Sequence, residues 1–158
     1  MVMREAEARD IPGIAELWDE FMAFHEALDP LWVRRPGARV TWLDFIARLI
    51  SDPDFLVLVT ENESRLVGYM VATMQDCPPI FTVERYGFVQ EIAVTASCRG
   101  QGLARKMYRV AEEWLQSQGA NHIRANIDAT NELSQEFWKS MGFGPYTLTY
   151  QKKLDHEN

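Results

Sequence analysis

Glu91-Ile92-Ala93-Val94-Thr95-Ala96-Ser97-Cys98-Arg99-Gly100-Gln101-Gly102-Leu103-Ala104 carries an apolar run through a turn holding two glycines into the start of an amphipathic helix. The first turn of a helix leaves backbone N–H groups without partners, and the helix dipole adds partial positive charge there. A strand feeding such a turn is built to hold phosphate. Gly100 and Gly102 let the backbone approach an anion with no Cβ in the way. Arg99 adds a fixed positive charge, and Arg105 and Lys106 follow. Two nucleotide-binding patterns fail here. A dinucleotide turn needs a small residue where Arg105 stands, and a P-loop needs four residues between its glycines and then Gly-Lys-Ser/Thr.

Working outward, residues 83–95 read as one long strand bent at Gly87. Residues 55–60 and 66–73 read as two strands of a hairpin, joined by Glu61-Asn62-Glu63-Ser64. Earlier still, Ile14, Leu17, Trp18 and Phe21 keep the spacing of an amphipathic helix, with Asp10 as its N-cap and Pro12 in its first turn. Trp42, Phe45, Ile46, Leu49 and Ile50 repeat that spacing, with Thr41 as the cap. Residues 25–39, holding Pro30 and Pro36, read as a surface loop, and residues 2–8 as a short first strand. Downstream, Leu103, Met107, Val110, Ala111, Trp114 and Leu115 form a helical stripe that Gly119 closes. Residues 122–128 alternate as a half-buried strand, residues 131–141 form a fourth helix, and residues 146–154 alternate again as a last strand. The order predicts an α+β fold: a mixed, mostly antiparallel central sheet with helices on both faces, in a single domain over residues 1–158.

Composition narrows the function. The chain has 158 residues, 47% hydrophobic and 25% charged, which is ordinary for a globular domain and excludes disordered and fibrous classes. Sixteen Lys and Arg against 23 Asp and Glu give net charge −7. That balance argues against nucleic acid and anionic membranes as partners, and mildly favours a cationic small molecule such as an amine. Cys77, Cys98 and three scattered histidines lack metal-ligand spacing, so no metal is expected. With no apolar signal region and no membrane-spanning run, the expected location is cytoplasmic. A homodimer through an exposed apolar strand or helix stays open.

The segment Arg99-x-x-Gly102-x-Ala104 resembles the acetyl-CoA motif of the GNAT acetyltransferase superfamily, Gln/Arg-x-x-Gly-x-Gly/Ala. Asn131-x-x-Ser134-x-x-Phe137-Trp138-x-x-x-Gly142-Phe143 resembles the family's second motif, and the element order is also similar across nearly the whole chain. The resemblance implies a GNAT-like acyl-CoA N-acyltransferase fold and an acetyl-CoA-dependent N-acetyltransferase with a primary amine as acceptor. It implies that Gln101, Gly102, Leu103, Ala104 and Arg105 offer backbone amides to the CoA pyrophosphate, with Arg99 and Gly100 shaping the turn. On the same resemblance Ile92, Ala93 and Val94 pair with the pantetheine arm, Ala93 and Val94 bonding it through the main chain, and Asn131 contacts or orders that arm. A non-catalytic acetyl-CoA-binding regulatory module and a protein or peptide N-acetyltransferase remain as alternatives.

One departure matters. Where the family carries a tyrosine thought to protonate the leaving thiolate, this chain has Trp138. An indole N–H is a donor with no accessible acid pKa, so Trp138 either donates a hydrogen bond near the thioester or packs against Phe137 and Met141. Glu91, facing the interior of the long strand, is the candidate base or acceptor anchor, because desolvation there raises a carboxyl pKa. Tyr146 and Tyr150 are candidates to replace the missing phenol. Arg124, Asn126 and Asp128, on the polar face of their strand, and His25, Glu26, Asp29 and Trp32, in the irregular segment, are candidates for the acceptor pocket.

Overall fold

Glu63 (φ 49°) and Ser64 (φ 64°) both take left-handed backbone, where the sequence pattern puts a hairpin turn. Positive φ at both central residues makes a two-residue type I′ turn, whose twist matches the strands it joins. The turn links β2 (Phe55–Asn62) to β3 (Arg65–Asp76). The computed structural model describes residues 1–154. Its sheet has the order β1-β2-β3-β4-β5, with β1 at Val2–Glu5, β4 at Arg85–Val94 and β5 at Ile123–Ala125. Every neighbouring pair is antiparallel except β4 and β5, which run parallel. This is the α+β, mostly antiparallel sheet that the sequence predicts.

The chain divides into two units, Met1–Asn126 and Ile127–Asn158. The first holds the whole sheet with α1 (Ile11–Leu28), α2 (Ala38–Ile50) and α3 (Leu103–Ser117); the second holds α4 (Glu132–Ser140). Side chains alternate across a strand, so each strand serves both faces. Val57, Val59, Tyr69, Val71 and Ala93 meet Ile14, Leu17 and Trp18 of α1 and Ile46 and Leu49 of α2. The opposite face receives α3. A Cβ placed on Gly68 would come within 3.1 Å of the Ala93 carbonyl oxygen and 3.2 Å of the Met107 sulfur, so α3 lies tight against β3 there. Helices thus cover both faces within the first unit. Among the described residues, no helix is long and apolar enough to cross a membrane.

Four local expectations change. Helix α1 runs on to Leu28, so His25 and Glu26 lie on it and not in the loop expected over 25–39. Asp10 stands at the α1 N-cap position, but its carboxylate is taken by Arg4 at 2.6 and 2.9 Å and by the Glu7 N–H at 2.7 Å. Two charge-assisted bonds to arginine outcompete one to a helix amide. Helix α2 begins at Ala38, entered from Gly37 at φ 81°, so Thr41 sits inside it rather than capping it. The last strand expected at 146–154 does not form. Tyr146, Leu148, Tyr150 and Leu154 are all exposed, so the alternation there has no buried side to serve. A period-two pattern favours a strand only where one of its two faces is buried.

Candidate active site

The register of β3 against β4 shifts at one point. Val71 faces Glu91 and Ala72 faces Val89, which leaves Gln90 as the extra residue of a β-bulge. Parallel pairing of β4 with β5 covers Gly87, Phe88 and Val89 and stops at the same place. Beyond it, the far edge of β4 has no strand partner among the described residues. The Thr95 N–H donates to the Val67 carbonyl at 2.9 Å. Antiparallel ladders alternate, so Ala93 and Glu91 direct their main-chain groups to β3, while Val94 and Ile92 direct theirs to the open edge. Ile92 and Val94, rather than Ala93, present main-chain polar atoms there.

After β4 the chain makes a single 3-10 turn at Ala96–Cys98 and then two left-handed steps, Gly100 and Gly102, each at φ 75°. Nothing among the described residues lies within 4 Å of a Cβ built on either glycine, so what the fold needs from them is handedness rather than room. Helix α3 starts from Gly102 with no side-chain cap and no acid in its first turn. Leu103 is buried and reaches toward Gly68, anchoring the helix start, while Gln101 and Gly102 are exposed. Amides of that first turn therefore face solvent in the arrangement that holds anions. The residues fit a diphosphate: uncapped N–H groups, a positive dipole end and no carboxylate in the turn. Among the described residues no cluster of His, Cys, Asp or Glu is placed to hold a metal ion.

Arg99 takes a different position from that of a free positive charge. Its Nε donates to the Val94 carbonyl and an Nη to Glu20 of α1, each at 2.9 Å. Glu20 also accepts from the Thr95 hydroxyl at 3.0 Å and the Ala96 N–H at 2.8 Å. No sequence signal marks Glu20, one of several acids on the polar side of α1 and 79 residues from Arg99.

Glu91 projects on the α1/α2 face, where the Tyr69 hydroxyl donates to its Oε2 at 2.7 Å. Burial pushes the Glu91 carboxyl above the usual glutamate range, against the pull of Tyr69, Trp42 and His25. Among the described residues, the Trp42 indole N–H is buried without a partner in hydrogen-bond geometry, yet lies near enough to the Glu91 carboxylate to favour its charge. His25 Nδ1 donates to the Phe21 carbonyl at 2.9 Å. Phe88 shares this sheet face, and its partner Arg124 stacks 4.0 Å over the Tyr86 ring.

A cavity of about 470 Å³ opens beside this cluster, lined by Trp18, Met22, Leu31, Trp32, Trp42 and Phe45 among others. Trp42 joins the two: it stacks on Trp18 at 4.7 Å and meets Tyr69 edge-on at 6.1 Å. Arg34 secures the loop above, bonding Glu26 at 2.7 Å and Asp19 at 2.8 Å, while Asp29 accepts from the Leu31 N–H at 3.0 Å. Glu26 and Asp29 are thus occupied in shaping the loop, and Trp32 is left exposed.

In the second unit Asn131 is the N-cap of α4, its Oδ1 accepting from the Ser134 N–H at 3.0 Å. Trp138 is buried, edge-on to Phe137 at 5.1 Å and to Phe143 at 4.7 Å, the geometry of packing. Tyr146 is 73% exposed and lies on no strand.

Residues 14–143 match the family model described as the acetyltransferase (GNAT) family. N-alpha-acetyltransferase 30 of Schizosaccharomyces pombe (strain 972 / ATCC 24843) is 26% identical over 103 residues, 65% of this chain and 66% of that protein. The match spans less than two thirds of that relative's length, and smaller shares of the other curated relatives. A mutant of the BH1408 protein from Bacillus halodurans shares the fold at TM-score 0.88 and 18% identity, over 98% of this chain and 99% of that one. The aminoglycoside N-acetyltransferase AAC(6')-Iy in complex with CoA does so at TM-score 0.71 and 13% identity, over 97% of this chain and all of that one (100%).

Proposed function

The chain belongs to the acetyltransferase (GNAT) family, and from that premise we propose that it transfers an acetyl group from acetyl-CoA to the primary amine of a small molecule by direct attack. The observation that carries this reading is the uncapped start of α3 beyond two left-handed glycines, beside the open edge of β4. The amides of Gln101, Gly102, Leu103, Ala104 and Arg105 would hold the pyrophosphate, and the main chain of Ile92 and Val94 the pantetheine arm. Acetyl-CoA supplies an activated acetyl thioester.

The protein's own contribution is proton handling and position. An alkyl ammonium has no lone pair until it loses a proton. Glu91, with its carboxyl raised by burial, is a better proton acceptor near neutral pH than an exposed glutamate. Tyr69 holds the carboxylate in place through Oε2. The Val94 N–H, turned to the open edge, is positioned to donate to a carbonyl oxygen that gains charge. A thiol leaving group has an ordinary pKa of about 8.5, so it departs near neutral pH without a dedicated acid. Trp138 serves as packing, and Asn131 orders the start of α4. Acceptor specificity falls to the apolar cavity beside Trp42 and to the loop that Arg34 ties down.

Similarity to an N-alpha-acetyltransferase favours a second reading, a peptide N-terminus as acceptor. Calorimetry with coenzyme A, followed by acetylation of a panel of polyamines, aminoglycosides and short peptides, tests both. Turnover of free amines supports the first reading, and turnover confined to peptides replaces it with the second. Tight CoA binding with no product across the panel would leave a binding module instead of an enzyme.

A further inference from the structure

The turn that leads to Gly102 is held from outside itself. Glu20, in the middle of α1, receives three hydrogen bonds from successive points of that turn: the Thr95 hydroxyl at 3.0 Å, the Ala96 N–H at 2.8 Å and the Arg99 guanidinium at 2.9 Å. Arg99 closes the loop by donating to the Val94 carbonyl at 2.9 Å. One carboxylate thereby fixes the end of β4, the 3-10 turn and the approach to Gly100. An exposed ion pair alone contributes little. This carboxylate also takes a backbone amide and a hydroxyl, and three donors converging on one anion fix geometry as well as energy.

We propose that Glu20 is a positioning residue for the cofactor, the latch that holds residues 95–99 so that the amides after Gly100 stand ready for a diphosphate. The proposal rests on the reading of that turn as the CoA site. The physical reason is preorganisation. Two left-handed glycines on either side of Gln101 are intrinsically loose, and a loose turn must be ordered when ligand binds, which weakens binding. Fixing the segment just before them removes much of that cost. Arg99 then acts through the turn: its charge is met by Glu20, and its bond to Val94 sets where the open edge of β4 ends. Helix α1 also carries His25 and Glu26 eight or so angstroms further along its axis, by about 1.5 Å of rise per residue, so the helix that holds the cofactor turn also supports the acceptor loop.

Calorimetry with coenzyme A on the unmodified chain, Glu20→Ala, Glu20→Gln, Arg99→Ala and the double Glu20→Ala/Arg99→Ala reads the latch. Glu20→Ala is expected to raise the CoA Kd roughly tenfold, about 1.4 kcal/mol. Glu20→Gln keeps one carbonyl acceptor for the Ala96 N–H and should lose less. The double substitution should weaken binding no more than the stronger single one, because both remove the same latch. An unmoved CoA Kd in Glu20→Ala, whatever its Tm, overturns the proposal, as do losses that add in the double. Should Glu20→Ala fail to fold, Glu20→Gln decides by the same criterion. No heat from the unmodified chain removes the functional reading and the latch with it; binding that is equal in the unmodified chain and the Glu20 forms removes the latch alone.

Discussion

Gly102 separates backbone strain from anion binding, because two substitutions there should move stability and affinity independently. The residue sits at φ 75° and ψ 11°, and nothing among the described residues within 4 Å would meet a new Cβ. Gly102→Ala therefore costs only the left-handed strain of an L-residue, about 1–2 kcal/mol. For a domain of this size that lowers Tm by about 2–8 °C. Aspartate tolerates the left-handed region far better than most residues, and its charge favours a helix N-terminus by about 0.3–1 kcal/mol. Gly102→Asp should consequently melt close to the unmodified protein. Its carboxylate would, however, stand where the diphosphate binds. Like charges about 4 Å apart repel by about 1 kcal/mol in bulk water and about 4 kcal/mol near a protein surface, so the CoA Kd should rise at least roughly fivefold. The assay is differential scanning fluorimetry beside calorimetry with CoA, repeated in rising salt, which should shrink the Gly102→Asp defect. Gly102→Asp that binds CoA as tightly as the unmodified chain would refute the siting of the diphosphate.

Other expectations concern the Glu91 cluster and the core. Glu91→Gln should lower kcat by roughly 10²–10⁴-fold while leaving the CoA Kd unchanged; equal turnover on an accepted amine removes Glu91 as the base. The raised carboxyl pKa means that folding favours the protonated form. The stability it contributes is complete below the ordinary glutamate pKa of about 4.3 and is lost as pH rises through the folded value. Glu91→Gln should accordingly outlast the unmodified chain in denaturant at neutral pH, with the gap closing toward about pH 4; a gap independent of pH contradicts the burial argument. Tyr69→Phe removes a bond that lowers the Glu91 pKa, so the acidic limb of the rate profile should move to higher pH, and an unmoved limb denies Tyr69 that part. Among the described residues, the Thr60 hydroxyl is buried without a hydrogen-bond partner. Thr60→Val, nearly equal in volume, should raise stability by about 1 kcal/mol and Tm by about 2–4 °C, checked by thermal melting.

What the sequence alone determines here is local. Periodicity finds the three helices of the first unit and the β2–β3 hairpin, since apolar spacing within a dozen residues records which side of each element is buried. The glycine turn at 100–102 is equally legible, because left-handed backbone at a helix start leaves a residue-type signature. Thr41 and residues 146–154 misled for the converse reason: a capping residue type and an alternating pattern are only opportunities, and Gly37 and the lack of a buried side decided the outcome. Everything that depends on distant segments belongs to the tertiary structure. Gln90 became a bulge through the register of β3 against β4, and the pairing with β5 ends at the same place, leaving open the edge to which Ile92 and Val94 turn their main chain. Burial in the fold raises the Glu91 pKa, and Tyr69, Trp42 and His25, residues 22 to 66 positions earlier in the chain, pull against it. Glu20 meets Arg99 across 79 positions. Hydrogen bonds and desolvation act over a few ångströms of space, so no pattern along the chain records them until the fold brings their partners together.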